Sequence, residues 1–350
     1  MAEKTRDNIS SFNTFCFVGT LSKTDDYYSE YIGKNKSDIV KINFMVKCGR
    51  NKHFVESVAF RPKDGNKVIH LFKKDGTRAT IPFKDRINVD TSDLGRMHNS
   101  YSEMEAGKTR FAHGVDFIEK VKSVFSTERY KGRKYKITGS VENEGYTDKN
   151  GNARVITKYI VNHIEEVPME TEDSSTANLK LYLLDNCLTR FDDVAILEGE
   201  AVRKTMNGYE SATMKVELPL GDKADRAFEM YQTMYRGNSE QLNKAGLKVD
   251  VINGTQDVDF TEDMLTDEER DRIELGIDTF ETIKATKGAG VGERERKFVR
   301  IRDLQGYSEI EETVLTLEDI GLKKVEFIRA DELPESPSEF GVIDDDDLPF

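Results

Sequence analysis

The chain has 350 residues, a third of them charged, with a formal net charge of −13. Nothing in it approaches the ~18 consecutive apolar residues of a membrane helix, and its three cysteines, Cys16, Cys48 and Cys187, are too few and too scattered for a disulfide framework or a metal knuckle, so a soluble protein of a reducing cytoplasm is expected. The charge is uneven: residues 1–168 carry +8, residues 169–330 carry −13 and residues 331–350 carry −8, which leaves only the first part as an electrostatic partner for phosphates.

Phe12 to Leu21 alternates as a strand, with Gly19 marking a bend, and the polar stretch Lys23 to Lys36 is expected to be a loop. Ile39 to Lys47 and His53 to Phe60 follow as strands about a tight turn at Cys48-Gly49-Arg50-Asn51. Residues 61–110 read as an insertion with a hairpin, Lys67 to Lys74 and Thr77 to Phe83, about Asp75-Gly76. Val115, Phe117, Ile118, Val121, Val124 and Phe125 keep helical spacing and predict a helix over His113 to Phe125. Two more strands, Lys134 to Glu142 and Val155 to Glu165, close a first domain at residue 168. Three strands, a helix and two strands is the arrangement of the five-stranded OB-fold barrel, whose outer face and long loops hold oligonucleotides.

Residues 169–178 read as a linker. Beyond it, residues 179–330 predict a second α+β domain, with a hairpin of Val194 to Lys204 and Tyr209 to Leu218 about Asn207-Gly208. Helices are expected at Asp222 to Tyr235 and Thr266 to Thr286, and strands at Leu247 to Ile252, Phe298 to Ile301 and Lys324 to Ile328. Ile196 to Ala201, interrupted by Gly199, echoes the first strand, so a degenerate OB barrel is the expected form. The chain is thus mainly β with minor α, ending in a disordered acidic tail, residues 331–350.

Several segments carry a resemblance to a known family. Asn13 to Leu21, with its Gly-x-Leu ending, resembles the opening strand of bacterial-type single-stranded DNA-binding proteins; Phe54 to Phe60 looks like their third strand, and Gly139 to Tyr159 like their long hairpin. The last seven residues, Asp344, Asp345, Asp346, Asp347, Leu348, Pro349 and Phe350, are similar to that family's acidic C-terminal tip, with Leu348 in place of Ile. The resemblance implies a protein that coats single-stranded DNA in replication, recombination and repair, close to the nucleoid of a bacterial cell, and recruits partner enzymes through the tip. The large insertion and two barrels in one chain point to a bacteriophage or mobile-element version. Short members need several chains to present enough barrels, whereas two barrels in one chain need fewer, so the sequence leaves open whether this chain forms a homo-oligomer.

Binding without sequence preference needs flat aromatic faces for bases and cations along the phosphate path. Phe54 and Phe60 share strand parity and therefore one face, and Tyr146 sits at the tip of the long hairpin beside Lys149, Arg154 and Lys158. Lys41, Lys47, Arg50 and Lys52 line the second strand and its turn, and Arg133 and Lys134 enter the fourth. The plain alternatives are that the phenylalanines are core and the cations merely solvated. The chain has no Trp, although the family often stacks bases on one. A scaffolding module without strong DNA binding is the other reading. An enzyme is not expected: the five histidines show no i, i+4 pair, and no cofactor or metal site is legible.

Overall fold

The computed structural model describes residues 13–33, 38–147, 153–191, 194–205, 208–237, 243–257, 265–280, 293–302 and 311–312. In β1 (Thr14–Ile32) the residues Phe15, Phe17 and Leu21 point inward and are buried. The strand does not stop at Leu21. It runs on through the stretch expected to be a loop, because Tyr28, Tyr31 and Ile32 suit extended backbone and, after an irregularity between Lys23 and Tyr28, pair with β2 (Asp38–Cys48). At Gly19 the strand presses against its neighbour: an added Cβ would lie 2.1 Å from the Lys47 carbonyl oxygen, so no larger residue fits the bend.

Strand β3 (Asn51–Arg61) pairs antiparallel with β2 along its length. β8 (Lys134–Thr147) pairs with β1, and β9 (Ala153–Val167) with β8. A single parallel pairing, Glu56 with Ile160, joins β9 to β3. The pairings therefore form a ring, β1-β2-β3-β9-β8-β1. Helix α1 (Gly114–Ser126) lies between its third and fourth strands and buries Val115, Phe117, Ile118, Val121, Val124 and Phe125, the residues the helical spacing singled out.

The chain then repeats this order. β10 (Ser174–Leu183), β12 (Val194–Thr205), β13 (Gly208–Pro219), β14 (Asn243–Asp257) and β15 (Glu293–Ile301) pair as β10-β12-β13-β15-β14-β10, the parallel link now being Glu217 with Arg300. Helix α2 (Ala224–Met234) again lies between the third and fourth strands, and its Tyr231 hydroxyl donates to the Pro219 carbonyl at 2.9 Å. Both rings are OB-like. Gly199 stands in the second strand of its ring, not the first as the sequence echo suggested. The first strand is β10, which takes in Ser174 to Asn178 of the expected linker.

That segment is strand because it has two partners: it pairs with β1 (Thr14 with Asn178 to Val18 with Ser174) and with β14. Apolar residues from both rings form one buried cluster, each fully buried Phe, Leu or Ile contributing roughly 1.5–3 kcal/mol. At the seam the Ser175 hydroxyl donates to the Val251 carbonyl at 2.7 Å. Its single proton is thereby used, so His53 Nε2 is the donor of their 2.5 Å contact. The same imidazole stacks on Phe17, with centroids 4.2 Å apart.

The insertion holds β4 (Val68–Phe72) and β5 (Arg78–Pro82), a separate two-stranded sheet about the expected Asp75-Gly76 turn. Its inner residues Ile69 and Leu71 pack with Phe83, Leu94 and Ala112 into a small core of their own. Two short strands unforeseen from sequence, β6 (Ser100–Glu103) and β7 (Gly107–Arg110), extend the main sheet beside β9. The remaining elements are β11 (Leu188–Arg190), β16 (Glu311–Glu312) and α3 (Asp267–Glu274). The helix expected to reach Thr286 is this short: a capping box at Thr266 starts it, and Gly276, at φ 71°, follows its end. The strand expected at Lys324 to Ile328, the tail and residues 281–292 lie outside the described residues.

Candidate nucleic-acid interface

Alternation along β2 and β3 decides which side chains reach solvent. Val40, Ile42, Phe44, Val46 and Val55 are buried, which turns Ile39, Lys41, Met45 and Lys47 of β2 and Lys52, Phe54, Val58 and Phe60 of β3 to the other face. Phe54 is 63% exposed and Phe60 62%, values no core residue has. The strand register sets them in rows: Met45 faces Phe54, Lys47 faces Lys52 and Ile39 faces Phe60. Tyr31 of β1, 49% exposed, adjoins Ile39. Tyr31, Ile39 and Phe60 therefore form a continuous aromatic and apolar row across three strands.

Lys47 and Lys52 are both exposed and directly opposed, and neither forms an ion pair among the described residues. Like charges in that relation destabilise a sheet. An anion bound between them would relieve the repulsion. Lys41 instead reaches Glu56, 2.5 Å away, so each neutralises the other. Beyond the Phe60 row, Arg61 holds Glu30 and Glu119 at 3.1 and 3.3 Å. The single Tyr28 hydroxyl proton goes to Glu30, with Glu119 2.9 Å from the same oxygen, and the bonds from Tyr28 and Arg61 hold the Glu30 carboxyl below its usual range.

The other residues expected at the site are scattered. Arg133 is bound to Glu166 at 2.8 Å, and Lys134, nearly buried, to Asp173 at 2.8 Å and the Thr171 carbonyl at 2.7 Å. Both are committed to holding the fold together. Arg50 stands at the β2–β3 turn, lining a cavity with Asp173, Asp250 and Arg302. Cys48 lies beneath the same turn, its thiol pushed up to about 12 by burial and by Asp173. Lys158 follows strand parity onto the same face as Ile160, which pairs with Glu56, and so lies on the Phe54 side. Tyr146 and Arg154 face each other on the β8–β9 hairpin backbone. Lys149 and the residues Asp344 to Phe350 lie outside the described residues.

Sequence reasoning missed Tyr31, together with Ile39, Met45 and Val58. The signal was there: Tyr-Tyr-Ser-Glu-Tyr-Ile is strand-forming in composition despite its polar surroundings.

The second ring gives an internal comparison. Glu217 holds the position of Glu56, each making the parallel link of its ring. Counting from that anchor, Lys215 matches Phe54 and Thr213 matches Lys52, while Glu198 matches Met45 and Glu200 matches Lys47. Glu198 is paired with Lys215 at 2.5 Å, and Glu217 with Arg300 at 3.3 Å. The buried Glu200 carboxyl accepts from the Thr213 hydroxyl at 2.7 Å and is held above its ordinary range by desolvation. The matching face thus has neither an aromatic platform nor an opposed lysine pair. Between the rings opens a cavity of about 580 Å³, lined by Phe54, Val155, Thr157, Thr213, Lys215 and Ile252 among others.

No protein-family model matches the sequence, and no curated protein aligns with it significantly. Among solved structures, the wild-type single-stranded DNA binding protein from Thermus aquaticus is similar at a TM-score of 0.32 and 12% identity, covering 69% of this chain and 86% of that one. A deletion mutant of the same protein is similar at a TM-score of 0.33 and 11% identity, covering 69% of this chain and 87% of that one. Among the described residues, no helix is long and apolar enough to cross a membrane.

Proposed function

We propose that the chain is a non-catalytic, sequence-independent single-stranded DNA-binding protein whose primary surface is the outer face of β2 and β3. The observation that carries this is the conjunction of two phenylalanines more than 60% exposed, Phe54 and Phe60, with the directly opposed Lys47 and Lys52 on the same face. Exposed aromatic faces accept stacked bases whatever their identity, and lysines accept the phosphates between them. Duplex DNA cannot use this surface, because its bases are already stacked on each other. Tyr31 adds a third ring. Lys158, on the Phe54 side of β9, extends the contact past Phe54.

The second ring serves as structural support, consistent with its ion-paired acidic face. The run Asp344 to Phe350 is the recruiting handle for replication and recombination enzymes: adjacent carboxylates cannot be buried, and Phe350 offers one apolar knob for a basic-rimmed pocket. A titration with oligo-dT at two salt concentrations, against duplex of equal length, tests the proposal. Preference for the single strand, weakening steeply with salt, is expected. Equal affinity for the duplex would overturn it.

A further inference from the structure

The inserted hairpin also presents an aromatic and cationic face. Its buried residues, Ile69 and Leu71, alternate with exposed Val68, His70 and Phe72, and the partners of the last two across the hairpin are Thr80 and Arg78. Phe72 is 37% exposed, with the Arg78 guanidinium 5.6 Å from its ring centre. Its position is fixed by the backbone: its N–H donates to Nε2 of the buried His98 at 2.9 Å, and its carbonyl accepts from Gly95 N–H at 2.7 Å.

Charge favours an anionic occupant. Residues 61–100 hold nine Lys and Arg against five Asp and no Glu. Lys67, Lys74, Arg78 and Lys84 are exposed and form no ion pair among the described residues. The hairpin is also rooted at the end of the phenylalanine face: the rung after Ile39 and Phe60 is Asp38 with Arg61, and Lys63, three residues beyond Phe60, ties back to Asp38 at 3.4 Å.

We propose that the outer face of this hairpin is a second contact for single-stranded DNA, continuing the strand beyond Phe60, with one base on Phe72 and phosphates at Lys74 and Arg78. This rests on the reading of β2 and β3 as the primary surface. The occupant is a single strand because an exposed ring beneath a guanidinium, flanked by cations, suits a base and its phosphates.

The absence of Trp from the chain makes the test direct. Phe54→Trp and Phe72→Trp each provide one fluorophore, titrated with oligo-dT of about 6 and about 16 nucleotides, near the limits of one barrel's site. The primary-surface reporter should be quenched by both lengths and the hairpin reporter only by the longer. A hairpin reporter silent to the longer oligonucleotide, while Phe54→Trp responds, overturns the inference and leaves the primary surface standing. Silence of both overturns the two together. In parallel, Lys74→Gln with Arg78→Gln should weaken the longer oligonucleotide roughly 25-fold at ~0.1 M salt, about 5-fold per phosphate contact, and leave the shorter unchanged. Equal affinities of variant and parent for the longer one also overturn the inference.

Discussion

Replacing Phe54 and Phe60 by Leu separates stacking from everything else the two side chains do. Both are more than 60% exposed, so little apolar burial is at stake, and Leu retains much of that while removing the flat π-face. Folding stability should therefore change by no more than about 0.5 kcal/mol, as for ordinary surface substitutions. Binding is different: base stacking is worth ~1–3 kcal/mol per aromatic, so each substitution should cost roughly 5- to 150-fold in affinity for oligo-dT. Because Lys47 and Lys52 remain in place, the slope of log affinity against log salt should not move. Anisotropy titrations of a labelled oligonucleotide at several salt concentrations read both quantities, and a urea melt reads stability. Unchanged affinity in the double variant would refute the stacking argument, and a change confined to the salt slope would show that the rings only position cations.

Substituting Lys47→Gln and Lys52→Gln should do the reverse, reducing the salt slope by about 0.7 per lysine. The fold should become slightly more stable as the opposed charges are relieved; a lower urea midpoint would contradict the repulsion. A second expectation concerns acid. His98, His113 and His163 all have pKa values lowered, in each case chiefly by burial, so the unfolded chain binds more protons than the folded one below about pH 6.5. Stability should be full above that value and fall as pH drops through it; urea midpoints equal at pH 7.5 and 5.5 would refute this. Deleting Asp344 to Phe350 should abolish capture of replication enzymes and leave oligo-dT affinity equal or higher, since an internal competitor for the cations is gone. A fall in affinity would argue against that role.

Much of the first ring was legible because its strands carry their partition in period two. His53 to Phe60 reads as alternating, and Asp75-Gly76 as a hairpin turn, without any tertiary information. The stretch from Lys23 to Ile32 was not legible in the same way: its polarity suggested a loop, while its extension is secured by pairing with β2, a non-local fact. Ser174 to Asn178 failed similarly, since small polar residues form a strand there only because β1 and β14 flank them. The site divided along the same line. Phe54 and Phe60 were readable from parity, but whether that face was core or surface was not, because an outward Phe and an inward one look alike in sequence. Arg133 and Lys134 were readable as cations, whereas their acidic partners, Glu166 and Asp173, come from distant strands.

The two rings show how one topology separates the demands on its interior from those on its surface. Inward positions are interchangeable in kind: Phe44 and Ile42 on β2, Leu197 and Ala195 on β12, all buried, because an apolar interior asks only for volume and shape. The outward positions between them are free of that demand, and there the rings diverge, Phe54 against Lys215 and Met45 against Glu198. A ring whose outer face pairs Glu198 with Lys215 has spent its charges internally and presents neither ring nor surplus cation to a nucleic acid. A ring that leaves two lysines opposed and two phenylalanines in water tolerates a local destabilisation that no requirement of folding explains. That residual cost, confined to the outward rows of β2 and β3, is the physical reason for placing the binding surface on the first ring and not on the second.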